Sequence, residues 1–213
     1  MQRDFTATMP GIKYLNDITQ IKCADGKLYL AAVLDCYDEA IVGFSMKHPM
    51  RAGLCCDALH NAVSRYGYQK GLILHYDHGS QYTSHEYRAM IAGFGSIRQS
   101  MGRTHCCFDN AHMERFFATL KKELIYRLHC SRMKRDEVRK IVFRWIKTYY
   151  NRRRRNTANE LEPPALDQTC TLRCYYSRCL ILCSWVYGFL DDSKMLVVEI
   201  LGRLPIDKRP IQK

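Results

Sequence analysis

Residues 12–46 read IKYLNDITQIKCADGKLYLAAVLDCYDEAIVGFSM, and three strands in close succession account for them. The first spans 12–22, an apolar run interrupted by polar side chains. Ala24-Asp25-Gly26 then supplies a turn with glycine at a favoured position. Lys27 to Asp35, KLYLAAVLD, is long and apolar, as a buried strand is. Ala40 to Met46 makes the third. Turns this short predict an antiparallel meander.

Beyond this block the pattern changes period. Leu54, Ala58, Leu59, Ala62 and Val63 fall at helical spacing within 52–66. Gly71 to His75, GLILH, is a short apolar run that reads as a buried strand between helices. Ser84 can cap a helix reaching about Gly93. Ile97 to Met101 is a fifth strand. Asp109 is placed to cap a long helix through about Leu124. A last helix over 134–150 carries Val138, Ile141, Val142, Trp145 and Ile146 on one stripe. The expected fold class is α/β, a mixed five-stranded sheet with helices on both faces. Pro163-Pro164 ends regular structure.

The 213 residues carry 33 Lys and Arg against 21 Asp and Glu, a formal charge of +12. Residues 132–155 alone hold 11 basic and 2 acidic side chains. One basic segment beside a nearly neutral remainder points to a polyanion, nucleic acid before anionic membrane. A solvated helix face would explain the same charges.

Eleven cysteines, an odd number, argue against a fully paired secreted framework. The opening MQRDFTATMPG has no apolar core of a leader peptide. The longest uncharged apolar run, Cys179 to Leu190, is too short for a bilayer helix, which needs about 20 residues. A reduced, cytoplasmic protein is expected. Cys170, Cys174, Cys179 and Cys183 have suggestive spacing. On one straight helix, however, the two pairs face opposite ways, which argues against a zinc site.

Three acids stand out. Asp17 interrupts the first strand, Asp77 follows the strand GLILHY, and Glu114 opens the Asp109 helix. Strands disfavour Asp, and a carboxylate at the end of a buried strand often lines a crevice. Grouped acids would repel one another unless cations lay between them, and Mg²⁺ suits oxygen ligands. Each acid also has an ordinary reading. Asp17 can be an edge residue, Asp77 the start of an Asx turn, and Glu114 a first-turn acid that complements the helix dipole.

The flanking residues resemble the catalytic core of insertion-sequence transposases, in the branch similar to retroviral integrases. Asn16-Asp17-Ile18-Thr19 is similar to that family's opening strand motif. His75-Tyr76-Asp77-His78-Gly79-Ser80-Gln81-Tyr82 and Phe108-Asp109-Asn110-Ala111-His112-Met113-Glu114-Arg115-Phe116-Phe117 resemble its second and third motifs. The likeness extends from about Arg3 to Ala165. It implies a ribonuclease-H-like fold and a catalytic, metal-binding triad of Asp17, Asp77 and Glu114. It implies two Mg²⁺ ions (Mn²⁺ as a substitute), and a cation at Lys121 to hold phosphate. Lys121 lies nearly two helical turns after Glu114, on the same face.

The chain departs from the pattern in places. The 36 residues between Asp77 and Glu114 are one more than usual, and Gly93-Phe94-Gly95-Ser96 can absorb the extra residue. Tyr14 stands near the family's tryptophan. His78 replaces a common Arg. The closing motif survives as Tyr150-Asn151-Arg152-Arg153-Arg154 but has Asn156 at the histidine position.

The implied organisation is a catalytic core over 1–131, a basic helix and closing motif over 132–167, and an atypical Cys-rich tail over 168–213. The implied reaction is cleavage of DNA at an element's end, followed by attack of the freed 3′-hydroxyl on target DNA. Implied partners are element ends and target DNA, further copies of the chain, and the product of an upstream helix-turn-helix reading frame. Expected phosphate contacts are Lys121, Arg152, Arg153, Arg154 and Arg155. Two other readings remain open: a non-catalytic DNA-binding or regulatory fragment, and a nuclease of the same fold that cleaves without joining.

Overall fold

A computed structural model describes residues 4–102, 110–156 and 163–164. Asp109 and the Cys-rich tail lie outside the described residues.

Strands β1 (Lys13–Cys23) and β2 (Gly26–Asp35) form a hairpin in which Cys23 pairs with Gly26 and Asp17 with Ala32. Gly26 turns the corner at φ +121°, where a side chain would be strained. Strand β3 (Ile41–Lys47) adds antiparallel to β2, with an irregularity at Val33/Leu34. The chain then crosses through α1 (Ala52–Tyr66) to β4 (Ile73–Tyr76), parallel to β1. A second crossover, α2 (His85–Gly93), leads to β5 (Arg98–Met101), parallel to β4. The order is β3-β2-β1-β4-β5. The sheet is therefore mixed and five-stranded, as the sequence predicts.

Successive strand side chains point to opposite faces, so each face receives its own core. On one, Leu15, Ile21, Leu30 and Leu34 meet Met113, Phe116 and Leu120 of α3 (Ala111–Leu120), with Val138 and Val142 of α4 (Arg135–Arg144). On the other, Tyr14, Val33 and Val42 meet Leu54, Ala58 and Leu59 of α1 and Tyr87 and Ile91 of α2. Gly43 lets α1 lie close on β3, because a β-carbon there would collide with the Ala58 carbonyl and with Ala62. Asn61 of α1 donates to the Phe44 carbonyl of β3 at 3.2 Å.

The elements match the sequence expectation closely. Ser84 caps α2, its hydroxyl accepting from the Tyr87 N–H at 3.2 Å. The long helices differ at their ends. α3 stops at Leu120 and continues as a π-helical turn, Lys121–Ile125. α4 stops at Arg144 and continues as another, Trp145–Tyr150. Apolar side chains (Leu124, Ile125, Trp145, Ile146, Tyr150) stay buried through both. The hydrophobic stripe therefore carries no mark of the wider winding.

Candidate active site

Asp17 lies in the interior of β1, and β4 runs parallel beside it. Leu15 pairs with His75, so two residues further along Asp17 comes level with Asp77, just past the end of β4. Glu114 stands on the first turn of α3. The start of that helix is tied to β1 where Asn110 Nδ2 donates to the Asn16 carbonyl at 3.3 Å. Three elements thus bring the three expected acids to one patch.

Charge is consistent with their nearness. Burial raises the Asp17 carboxyl to a pKa of about 7, against the Ile18 N–H that donates to it at 2.7 Å. Asp77 and Glu114 contribute to this rise, and Lys121 opposes it. Asp77, Glu114 and Lys121 therefore all act on Asp17. Asp77 is exposed and its Oδ1 accepts from the Gly79 N–H at 2.9 Å, so the Asx turn is real as well. Among the described residues, no three His, Cys, Asp or Glu side chains are gathered closely enough to hold an ion. The donors at the patch are all carboxylate oxygens, the chemistry that Mg²⁺ and Mn²⁺ take.

The motif residues around the acids have structural work. The rings of Tyr76, Tyr82 and Tyr87 pack together with centroids 5.2–5.6 Å apart. Asn16 Nδ2 donates to the Tyr87 hydroxyl at 2.6 Å. On β5, Ser100 Oγ lies 3.0 Å from His75 Nδ1, and Gln99 accepts from the Tyr76 hydroxyl at 2.5 Å. In the α2–β5 loop, where the extra residue is expected, Gly95 takes φ +70°, and the β4–β5 register runs from Ile73/Arg98 to Tyr76/Met101.

The arginine row divides. Arg152, Arg153 and Arg155 are exposed. Arg154 is turned inward onto Glu123, with Nε 3.0 Å and Nη2 2.9 Å from Oε1. Its guanidinium also lies 5.9 Å from the Tyr150 ring centre. Asn151 brackets Ile41, accepting from its N–H and donating to its carbonyl, both at 3.0 Å. The closing motif is thus built into the fold against β3.

Sequence reasoning missed Glu39, in the β2–β3 connection. It is buried, at φ +58°, a left-handed conformation uncommon for a residue with a side chain. Its carboxylate is in ion-pair contact with Arg115 and lies 2.7 Å from His112 Nδ1. Burial lowers the His112 pKa. Asn156 Nδ2 donates to Oε2 at 2.5 Å. The hint in the sequence is a basic pair, His112 and Arg115, three apart on α3.

Residues 7–107 match the model of the integrase core domain, and residues 95–164 match a second model of the same description. The transposase InsF for insertion sequence IS3A, from Escherichia coli, is 40% identical over 157 residues, covering 74% of this chain and 54% of InsF. The transposase for insertion sequence element IS904, from Lactococcus lactis, is 39% identical over 160 residues, covering 75% of this chain and 62% of that one. The chain therefore spans about half the length of curated relatives such as InsF. Among solved structures, the HTLV-2 integrase catalytic core domain in complex with magnesium superposes with a TM-score of 0.57 at 19% identity, over 75% of this chain and 97% of that one. The BIV integrase catalytic core gives 0.55 at 15%, over 78% and 99%. These likenesses identify the sheet and its helices as a ribonuclease-H-like fold. With the two family models and the transposase relatives, they show that the chain belongs to the integrase core domain family, in its insertion-sequence transposase branch of retroviral-integrase type.

Proposed function

We propose that this chain is the catalytic part of a transposase that cuts and joins DNA strands by phosphoryl transfer. The observation that carries this reading is the meeting of Asp17, Asp77 and Glu114 from β1, the end of β4 and α3, with Lys121 acting on the same patch. Four such residues, spread from position 17 to position 121, have no common structural task. The magnesium held by the HTLV-2 core adds support.

Two Mg²⁺ ions, or Mn²⁺, bound by these oxygens would neutralise the crowded acids and activate both ends of an in-line displacement. Asp17, which feels both other acids, would hold the ions together with Asp77 and Glu114. Lys121 is the group to hold the phosphate next to the acids. Water attacks the phosphodiester at the element's end, its proton is lost to solvent, and the departing strand leaves with the phosphorus–oxygen electron pair. The freed 3′-hydroxyl then displaces an equivalent oxygen in target DNA. Both steps depend on position and charge neutralisation and need no covalent enzyme intermediate. Arg152, Arg153 and Arg155 are proposed to contact backbone phosphates, and the inward Arg154 to hold the segment that presents them. The active assembly is proposed to contain further copies of the chain and the helix-turn-helix product, at work in the cytoplasm on nucleoid DNA.

Strand transfer with Mg²⁺ and oligonucleotides bearing the element's ends tests this. Asp77→Asn is expected to abolish joining while leaving most DNA binding. Equal joining by the variant overturns the triad. A wild-type chain that binds but never cuts, even with the helix-turn-helix product added, favours the regulatory reading.

A further inference from the structure

The Glu39 cluster lies outside the acids of the site, yet it reaches the helix that carries one of them. Glu39 has only 4% of its side chain exposed. A buried carboxylate is tolerated only where donors or cations lie against it, and here they come from two distant stretches. His112 and Arg115 come from α3, and Asn156 follows the closing motif. The Tyr150 hydroxyl adds a contact of 3.4 Å to the Glu39 carbonyl. His112 and Arg115, three residues apart, share one face of α3. Glu114, between them in sequence, projects from a different face, about 100° from Arg115. Holding the first two fixes the rotation of α3 about its axis, and with it the direction of Glu114. Phe5 packs on the His112 ring, centroids 4.6 Å apart, and limits movement the other way.

We propose that Glu39 is a positioning residue that aims Glu114, and that Asn156 couples this aim to the folded closing segment. The acidic patch is then complete only when residues 150–156 are seated. The inference rests on Asp17, Asp77 and Glu114 being the metal-binding triad. Residues that orient ligands from behind matter because such sites tolerate only about 0.5 Å of misplacement.

The test is binding of Mn²⁺ to the full chain, followed by electron paramagnetic resonance, alongside thermal melting and DNA binding. Glu39→Gln keeps the shape and removes the charge that Arg115 needs. Its affinity for Mn²⁺ is expected to fall roughly ten- to hundred-fold, as for other residues behind metal ligands, with DNA binding retained. Asn156→Ala is expected to weaken Mn²⁺ in the same direction. Combined with Glu39→Gln, it should add less than its separate effect, because both act through α3. Arg115→Lys keeps the charge but not the fork, and its affinity should fall between wild type and Glu39→Gln. It also serves as the variant of record where Glu39→Gln does not fold. Mn²⁺ affinity equal to wild type in Glu39→Gln or Arg115→Lys, whatever the melting temperature, overturns the positioning role and leaves the triad standing. A folded wild type that takes no Mn²⁺ overturns both together.

Discussion

Asp17 is the residue on which the site's electrostatics converge, and its pKa has a consequence for stability. The carboxyl titrates near 7 in the fold against about 3.9 in an unfolded chain. Below pH about 4 it is neutral in both states and costs nothing. Between the two values only the unfolded chain ionises, so stability falls as pH rises, with the full cost present above about 7. At about 1.4 kcal/mol per unit, the penalty reaches up to about 4 kcal/mol. Asp17→Asn is therefore expected to melt several degrees above wild type at pH 8 without divalent ions, and close to it at pH 4. Added Mg²⁺ should narrow the gap at pH 8 by raising wild type alone. Scanning calorimetry at the two pH values checks this, and a wild type no less stable than the variant at pH 8 would refute it. Asp17, Asp77 and Glu114 stand out in the sequence because each sits in a run of distinctive neighbours. Glu39 does not: its partners lie 73 to 117 positions away, and no local pattern encodes a pairing that distant.

At the scale of elements, the segment after α4 was legible as a basic helix but not as a structural one. Composition shows four consecutive arginines and cannot show that the third points inward. Arg154 and Glu123 are each little more than a quarter exposed and share a forked contact. Losing it leaves Glu123 half-buried and alone, at a cost of about 1–2 kcal/mol. Arg154→Ala is expected to lower the melting temperature by a few degrees, while Arg153→Ala leaves it unchanged. Urea unfolding of both variants separates them, and equal midpoints would contradict the division. The strands and α1 were read almost to the residue because their burial pattern is periodic. The π-helical turns were invisible because apolar spacing of about four residues suits either winding.

For the whole molecule, +12 was a statement about partners, and the fold narrows which charges can serve them. Arg135 pairs with Asp25, Arg139 with Asp136 and Arg154 with Glu123, so part of the basic segment is answered within the chain. Arg153 and Arg155 remain exposed beside the closing motif. Each phosphate contact on duplex DNA contributes about 0.9 to the slope of log affinity against log salt. Replacing both arginines with alanine is expected to flatten that slope by up to about two, equally for any DNA sequence. Fluorescence anisotropy over a salt series measures it, and an unchanged slope would remove these two residues from the interface. The contact between Asn61 and the Phe44 carbonyl bears on how copies of the chain meet. β3 is an outer strand of the sheet, the kind of rim that invites a foreign strand to zip on. With a mid-strand acceptor already taken by a helix side chain, an incoming segment must first evict Asn61. The fold thereby guards itself against runaway edge-to-edge polymerisation on that side, and assembly there is left to side-chain surfaces.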